Sequence, residues 1–289
     1  MKRFTYSIII IVLISVFTTK ANSFNEIRFH NETNDTIKIN HLLQSVISSD
    51  CETPNDRVLF IAKQLLNIPY VAHTLEGETE ILTINLDELD CTTFVETVMT
   101  LAYTAGENRS SWRDFIYNLK RIRYRNGEIN GYSSRLHYIS DWIIDNTHKG
   151  LFTEVTNRLP EYSYTTKTID FMSSHRSSYT QLSDSIEYNQ IKDVEMGYRL
   201  HRFPYIKKER LIKKPVQKAL KDGDIIALTT KTDGLDVSHM GIIIFVDNVP
   251  HLLHASMTAK KTIIDPHPLH EYLRRGKNLT GIRVIRLSE

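Results

Sequence analysis

From Asp90 to Ala102 the apolar side chains Phe94, Val95, Val98, Leu101 and Ala102 recur at helical spacing. Asp90 precedes that run as an N-cap, which puts Cys91 in the first helical turn. A second helix is predicted from Thr53 as N-cap and Pro54 at the first helical position, with Val58, Ile61, Ala62, Leu65 and Leu66 as its apolar stripe. It stops before Ile68-Pro69-Tyr70, because Pro69 pushes Ile68 out of the helical region. Further helices are expected over Trp112 to Ile122, around Trp142, and over Tyr188 to Leu200, and Asn126-Gly127 signals a turn. Residues 24–52 are rich in Asn and Thr with one apolar patch near Leu42 to Ile47, which reads as an ordered arm or a short helix. Residues 150–215 are polar and mixed, and the pattern assigns them no core role.

The period changes from helical to extended after a turn at Lys221-Asp222-Gly223-Asp224. Ile225 to Leu228 and Ser238 to Val246 read as strands, and Asp247-Asn248 tolerates the left-handed geometry of a two-residue hairpin. Val249 to Ser256 would return beside the second strand. That register sets Val246 opposite Val249 and Gly241 opposite His254. His239 and His254 then become diagonal neighbours on one face, roughly 7–8 Å apart at the backbone. The tail from Gly281 to Leu287 alternates like a further strand.

These positions carry candidate chemistry. A cysteine at a helix N-terminus meets unpaired N–H groups and the positive end of the helix dipole, which favour the nucleophilic thiolate. Two histidines on one hairpin face supply a base and a group to orient it. Cys51 and Cys91 are the chain's two cysteines, so a structural disulfide between them is the bland alternative. A zinc site at His251, His254, His267 and His270 is a rival, but strand positions three apart point to opposite faces. Gly131 to Tyr138 packs polar, aromatic and basic residues closely, as suits either a ligand-contacting loop or a solvated turn.

Composition refines the picture at the N-terminus. Lys2 and Arg3 precede an apolar run from Ile8 to Phe17, and Ala21-Asn22-Ser23 offers small residues for cleavage. Residues 1–23 read as a secretory signal peptide, so an exported, periplasmic or secreted chain with no stable membrane span after cleavage is expected. The formal charge of +2 falls to about −1 without Lys2, Arg3 and Lys20, which leaves no basic excess for nucleic acid.

With these residues in place, the chain resembles the NlpC-like papain-fold peptidases of bacterial cell walls. Ile68-Pro69-Tyr70 is similar to their Pro-Tyr element, Asp90-Cys91-Thr92-Thr93-Phe94 to their Asp-Cys-Ser-Gly-Phe motif, and Gly223-Asp224 to a strand-opening Gly-Asp. Ser238-His239-Met240-Gly241-Ile242 and Leu253-His254-Ala255 resemble the two histidine motifs. Thr92-Thr93 in place of Ser-Gly, and about 145 residues between Cys91 and His239, resemble the N-acetylmuramoyl-L-alanine amidase-like subfamily. So do Tyr132 to Tyr138, Phe171 to His175 and Gly234 to His239.

The resemblance implies an α+β, papain-like NlpC-type fold: a nucleophile helix packed on an antiparallel sheet, with a large helical and loop insertion. It implies a signal peptide over 1–23, an arm over 24–52, and one catalytic domain over 53–289 with the insertion at about 108–215. The implied activity cleaves the amide between N-acetylmuramic acid, in anhydro form, and L-alanine in muropeptides. The alternatives are a D-glutamyl–diamino acid endopeptidase and a non-catalytic wall-binding module. Cys91, His239 and His254 would be catalytic, with Tyr70 and Asp90 auxiliary at the oxyanion. Tyr132, Ser134, Arg135, His137, Trp142 and Asp236 would touch substrate: Arg135 and His137 an anionic stem peptide, Trp142 a sugar ring unless it packs in the core. No metal or organic cofactor is implied.

Overall fold

The structure, a computed structural model, describes residues 27–288. The expected signal peptide and residues 24–26 of the expected arm lie outside the described residues. The remainder of that arm is a short strand β1 (Ile27–Phe29) and a helix α1 (Glu32–Ile47). Ile39, Leu42, Leu43 and Val46 of α1 are buried in the main core, so the segment is part of the packed body.

Helix α2 (Pro54–Gln64) opens with a capping box in which Thr53 and Asp56 satisfy each other's backbone N–H groups. Strand β2 (Leu82–Ile84) pairs in parallel with β1. Helix α3 (Cys91–Gly106) is buried on nearly every side, from Thr93 through Ala102, as befits a central helix. It packs against α1, α2 and α4 (Trp112–Arg123) and against the main sheet. Helix α5 (Ile139–His148) follows a loop that begins with Asn126 and Gly127 at positive φ, 53° and 75°. That pair makes the turn its composition signals, at the end of α4.

The polar stretch 150–215 holds more order than its pattern indicates. Strands β3 (Phe152–Glu154), β4 (Tyr162–Thr166) and β5 (Arg202–Lys207) all join the main sheet. Between them lie helices α6 (Phe171–Ser174) and α7 (Ser185–Gly197), the latter starting three residues before the expected Tyr188 because Asp184 caps it. A small core of Tyr138, Ile169, Leu182, Ile191 and Phe203 anchors the region. Helix α8 (Lys214–Ala219) leads to β6 (Ile225–Thr230), then β7 (Val237–Val246), β8 (Val249–Ser256), β9 (Lys261–Pro268), α9 (Leu269–Arg275) and β10 (Leu279–Leu287).

The sheet runs β4-β5-β10-β6-β7-β8-β9, with β3 also on β10, and every pairing in it is antiparallel. One face, with Ile225, Ala227, Met240, Ile242 and Leu253, packs on the helices; the other, with Ile226, Leu228, Ile243 and Leu252, packs on α8 and α9. This is an α+β protein. Gly223 takes φ of 78°, and a Cβ there would overlap the Asn55 carbonyl at the start of α2. Asp224, fully buried, then accepts both prongs of the Arg286 guanidinium at 2.7 and 3.0 Å, tying β6 to β10. Among the described residues no helix is long and apolar enough to cross a membrane.

Candidate active site

Cys91 is the first residue of α3. The Asp90 carboxylate accepts from the N–H groups of Thr92 (3.0 Å) and Thr93 (2.8 Å), and the Asp90 carbonyl accepts from that of Phe94 (2.9 Å). The Cys91 N–H is left uncommitted by these caps and lies toward its own sulfur. The Met240 N–H of β7, next in the chain to His239, also lies toward the sulfur, and Thr92 Oγ1 is 4.0 Å away. Helix start and histidine strand therefore meet at the sulfur.

The hairpin has the register its turn residues dictate. Asp247 and Asn248 both adopt positive φ, 49° and 63°, and Val246 pairs with Val249 and Ile242 with Leu253. Gly241 thus faces His254, and a Cβ on it would come within 3.0 Å of His254 Cβ and 2.7 Å of Leu252 Cδ1. In the space so kept, His239 Nε2 and His254 Nδ1 share a hydrogen bond of 2.6 Å, their rings nearly perpendicular at 88°.

Two residues not expected from the sequence complete the cluster. Asp265 on β9 accepts at Oδ1 from the His267 backbone and ring N–H groups, at 2.9 and 3.0 Å, which leaves Oδ2 facing His254 Nε2 at 3.7 Å. His254 Nε2 is buried with no hydrogen-bond partner, so the Asp265 carboxylate is its nearby counter-charge. Tyr272 on α9 lies edge-on to His254 at 5.4 Å and parallel to His239 at 6.5 Å, within electrostatic reach of Cys91. No local sequence pattern marks either Asp265 or Tyr272 as a partner of Cys91.

The electrostatics overturn one expectation. Burial, then the neighbouring Asp90 carboxylate, push the Cys91 thiol up to about 11, outweighing the N–H groups that favour the thiolate. Burial, then His254, push His239 down to about 3, and burial pushes His254 down to about 4 despite the Asp265 carboxylate. These shifts favour a neutral thiol and neutral imidazoles, and among the described residues no hydrogen bond joins the sulfur to the His239 ring. Tyr70 sits half-buried within electrostatic reach of Cys91 and Asp90, its N–H bonded to the Lys260 carbonyl at 2.9 Å.

The remaining expected contacts lie elsewhere. Trp142 is fully buried against Phe152, ring centroids 4.6 Å apart, so it offers no face to a sugar. Arg135 is buried, stacks over Tyr132 at 4.9 Å and pairs with Glu76 (2.8 Å) and Glu80 (3.4 Å), an internal answer to its charge. The His137 ring N–H donates to the Tyr132 carbonyl at 2.8 Å, and Ser134 Oγ donates to that of Gly131 at 2.7 Å. These four hold the loop after α4 together and do not gather at Cys91. Asp236 accepts from the Ser140 N–H at 2.6 Å and lines a cavity beside β7. Of the zinc candidates, His251 donates to the Asp265 carbonyl at 2.9 Å and His254 is bonded to His239. No group of three His, Cys, Asp or Glu among the described residues is arranged to hold a metal ion. Cys51 and Cys91 are both free thiols.

With this geometry in view, the likeness to known proteins is informative. A structure of an N-acetylmuramoyl-L-alanine amidase from Bacteroides uniformis superposes with a TM-score of 0.77 at 40% identity, over 82% of this chain and 99% of that one. A Bacteroides fragilis structure, provisionally named a xylanase, gives 0.72 at 41% identity over 78% and 98%. Protein LPG0564 of Legionella pneumophila shares the fold at 22% identity, with a TM-score of 0.68 over 89% and 96%. No curated protein matches the chain. The family model AmiA-like, N-acetylmuramoyl-L-alanine amidase-like, matches residues 60–282, from α2 into β10, and the chain belongs to that family.

Proposed function

We propose that this chain is a cysteine-dependent amidase that cuts the bond between the lactyl group of N-acetylmuramic acid and L-alanine in peptidoglycan fragments, with the anhydro sugar as the preferred form. The family and the B. uniformis neighbour support the amidase class. The observation that carries the mechanism is the series from Cys91 through the β7 backbone to His239, His254 and Asp265. It supports a papain-like, NlpC-type arrangement. In this reading residues 1–23 act as an export signal, on their basic start and apolar run, and segment 108–215 shapes the choice of substrate.

In the tautomer that leaves His239 Nδ1 as a free base, its Nε2–H donates to His254 Nδ1, and the proton of His254 sits on Nε2 toward Asp265. Cys91 Sγ attacks the amide carbonyl as its proton passes to His239. The oxyanion accepts from the Cys91 N–H, which the Asp90 caps leave free. Collapse breaks the C–N bond, His239 protonates the departing amine, and water activated by the same imidazole hydrolyses the thioester. Because thiol and imidazole rest neutral, proton transfer accompanies attack instead of preceding it. His254, with Asp265 behind it, takes the orienting and charge-stabilising role.

A glycosidase, as the B. fragilis name suggests for that protein, uses two carboxylates flanking the scissile bond. The two carboxylates of this cluster are engaged otherwise: Asp90 caps α3 and Asp265 is bound by His267. Alkylation tests the cysteine dependence. A Cys51→Ala variant should turn over muropeptide and lose that turnover in step with modification of Cys91. Full activity in the modified protein would refute the mechanism.

A further inference from the structure

The chain of groups behind Cys91 does not stop at Asp265. His239 Nε2 and His254 Nδ1 are 2.6 Å apart, His254 Nε2 faces Asp265 Oδ2 at 3.7 Å, and His267 Nδ1 meets Asp265 Oδ1 at 3.0 Å. The side chains of His254, Asp265 and His267 are 2%, 12% and 32% exposed, so the series runs from the core to the surface.

The segment Asp265-Pro266-His267 builds the last link. His251 and Leu253 of β8, two residues apart, pair with Pro268 and Ile264 of β9, four residues apart. The extra residues make β9 bulge, a feature that re-aims side chains beside active sites. Pro266 fixes its own φ and has no N–H, and the N–H of His267 reaches back to Asp265 Oδ1 at 2.9 Å, as in an Asx turn. The His251 ring N–H meets the Asp265 carbonyl at 2.9 Å, so the backbone of the bulge is held to β8 as well.

The His267 ring adds what the turn lacks. An ionised carboxylate only accepts, so Nδ1 carries the proton of the 3.0 Å bond. The 3.7 Å between Oδ2 and His254 Nε2 is too long for a hydrogen bond, so His254 does not fix the rotation of the carboxylate. That terminal torsion is broad, and its setting rests on the bonds at Oδ1. Two effects of the ring donor compete. It draws charge toward Oδ1, and it keeps Oδ2 aimed at Nε2. A hydrogen bond leaves the net charge of the carboxylate intact, whereas rotation would carry that charge away from His254, so the aim decides. We propose that His267 is a positioning residue of this active site: its ring N–H holds the Asp265 carboxylate toward the imidazole that orients His239. The role rests on the cysteine amidase reading above, in which His254 steadies the base.

The test uses the mature chain carrying Cys51→Ala. It measures kcat and KM on an anhydro-disaccharide-tetrapeptide, and separately the rate at which iodoacetamide alkylates Cys91 near neutral pH. His267→Phe, which keeps a ring without the donor, should lower kcat roughly threefold to fivefold with KM unchanged, and slow alkylation by a similar factor. His267→Asn, whose amide nitrogen stands where Nδ1 does, should restore most of both. In an Asp265→Asn background His267→Phe should cost nothing further, because its effect passes through that carboxylate. His267→Ala takes the place of the Phe variant if the larger ring prevents folding. Unchanged rates in the donor-less variant, a loss that His267→Asn does not restore, or an equal loss in the Asp265→Asn background would overturn the assignment. A wild type that cuts no amide, with alkylation rates that follow the expected pattern, would keep the assignment and refute the amidase reading.

Discussion

The side chains around Cys91 show how neighbours set chemistry that a residue's type leaves open. A helix N-terminus favours a thiolate, but here the cap is itself an anion, and burial adds to its effect. The Asp90 carboxylate that starts the helix therefore also holds the nucleophile as a thiol. Asp265 acts in the opposite sense on His254, favouring its charged form across 3.7 Å. Asp265→Asn should lower kcat about tenfold, about 1.4 kcal/mol of barrier, with KM nearly unchanged. Steady-state kinetics on a defined muropeptide checks this, and an unchanged kcat would mean that His254 needs no counter-charge. Cys91, His239 and His254 stood out in the sequence because a cap residue and a hairpin turn are local signals. Asp265 and Tyr272 did not, because they reach the site only through β9 and α9. The partners of Trp142 and Arg135 were not legible for a related reason: an aromatic or a cation looks the same in sequence whether its partner is a ligand or the protein's own Phe152 and Glu80.

Among the elements, α3 carries the nucleophile and the most demanding burial. Glu96, one turn beyond Cys91, pairs with Arg123 of α4 at 2.7 Å with both side chains almost wholly buried, and Arg123 also donates to the Thr83 carbonyl of β2 at 2.7 Å. Burial raises the Glu96 pKa against the pull of Arg123, the sign of a carboxylate that depends on its partner. Removing one member of such a pair leaves the other buried and unpaired. Arg123→Ala should cost about 3–5 kcal/mol of unfolding free energy by denaturant titration, and Arg123→Met with Glu96→Met should recover much of it. A loss under about 1 kcal/mol would show the pair to be dispensable. The caps of α2 and α3 and the β7–β8 turn were legible to the residue, since each rests on two or three adjacent side chains. The strands within 150–215 were not: β4 and β5 gain their order from pairing with each other and with β10, far away in sequence.

For the whole molecule, the depressed imidazoles and the raised thiol define a pH window for folding. His239 and His254 are held below the ordinary 6.5, so the unfolded chain takes up protons first as pH falls. Their stabilising contribution is complete above about 6.5 and is lost as pH drops toward 4 and 3. Cys91, held above its ordinary 9.0, has the opposite effect: the unfolded chain releases its proton first above pH 9. Thermal unfolding should therefore show a plateau between about pH 6.5 and 9, with Tm falling on both sides. Replacing His254 with Asn should flatten the acid limb, and an unaltered limb would place the acid sensitivity in other groups.

The proposed reaction breaks one bond, the amide between the muramic lactyl group and L-alanine. Mature protein incubated with a defined anhydro-disaccharide-tetrapeptide, with Cys91→Ala as control, should release by mass spectrometry an intact peptide beginning with L-alanine together with the free disaccharide. Cys91→Ala should release neither. Cleavage after D-glutamate, or unchanged turnover by Cys91→Ala, would contradict the cysteine amidase described above.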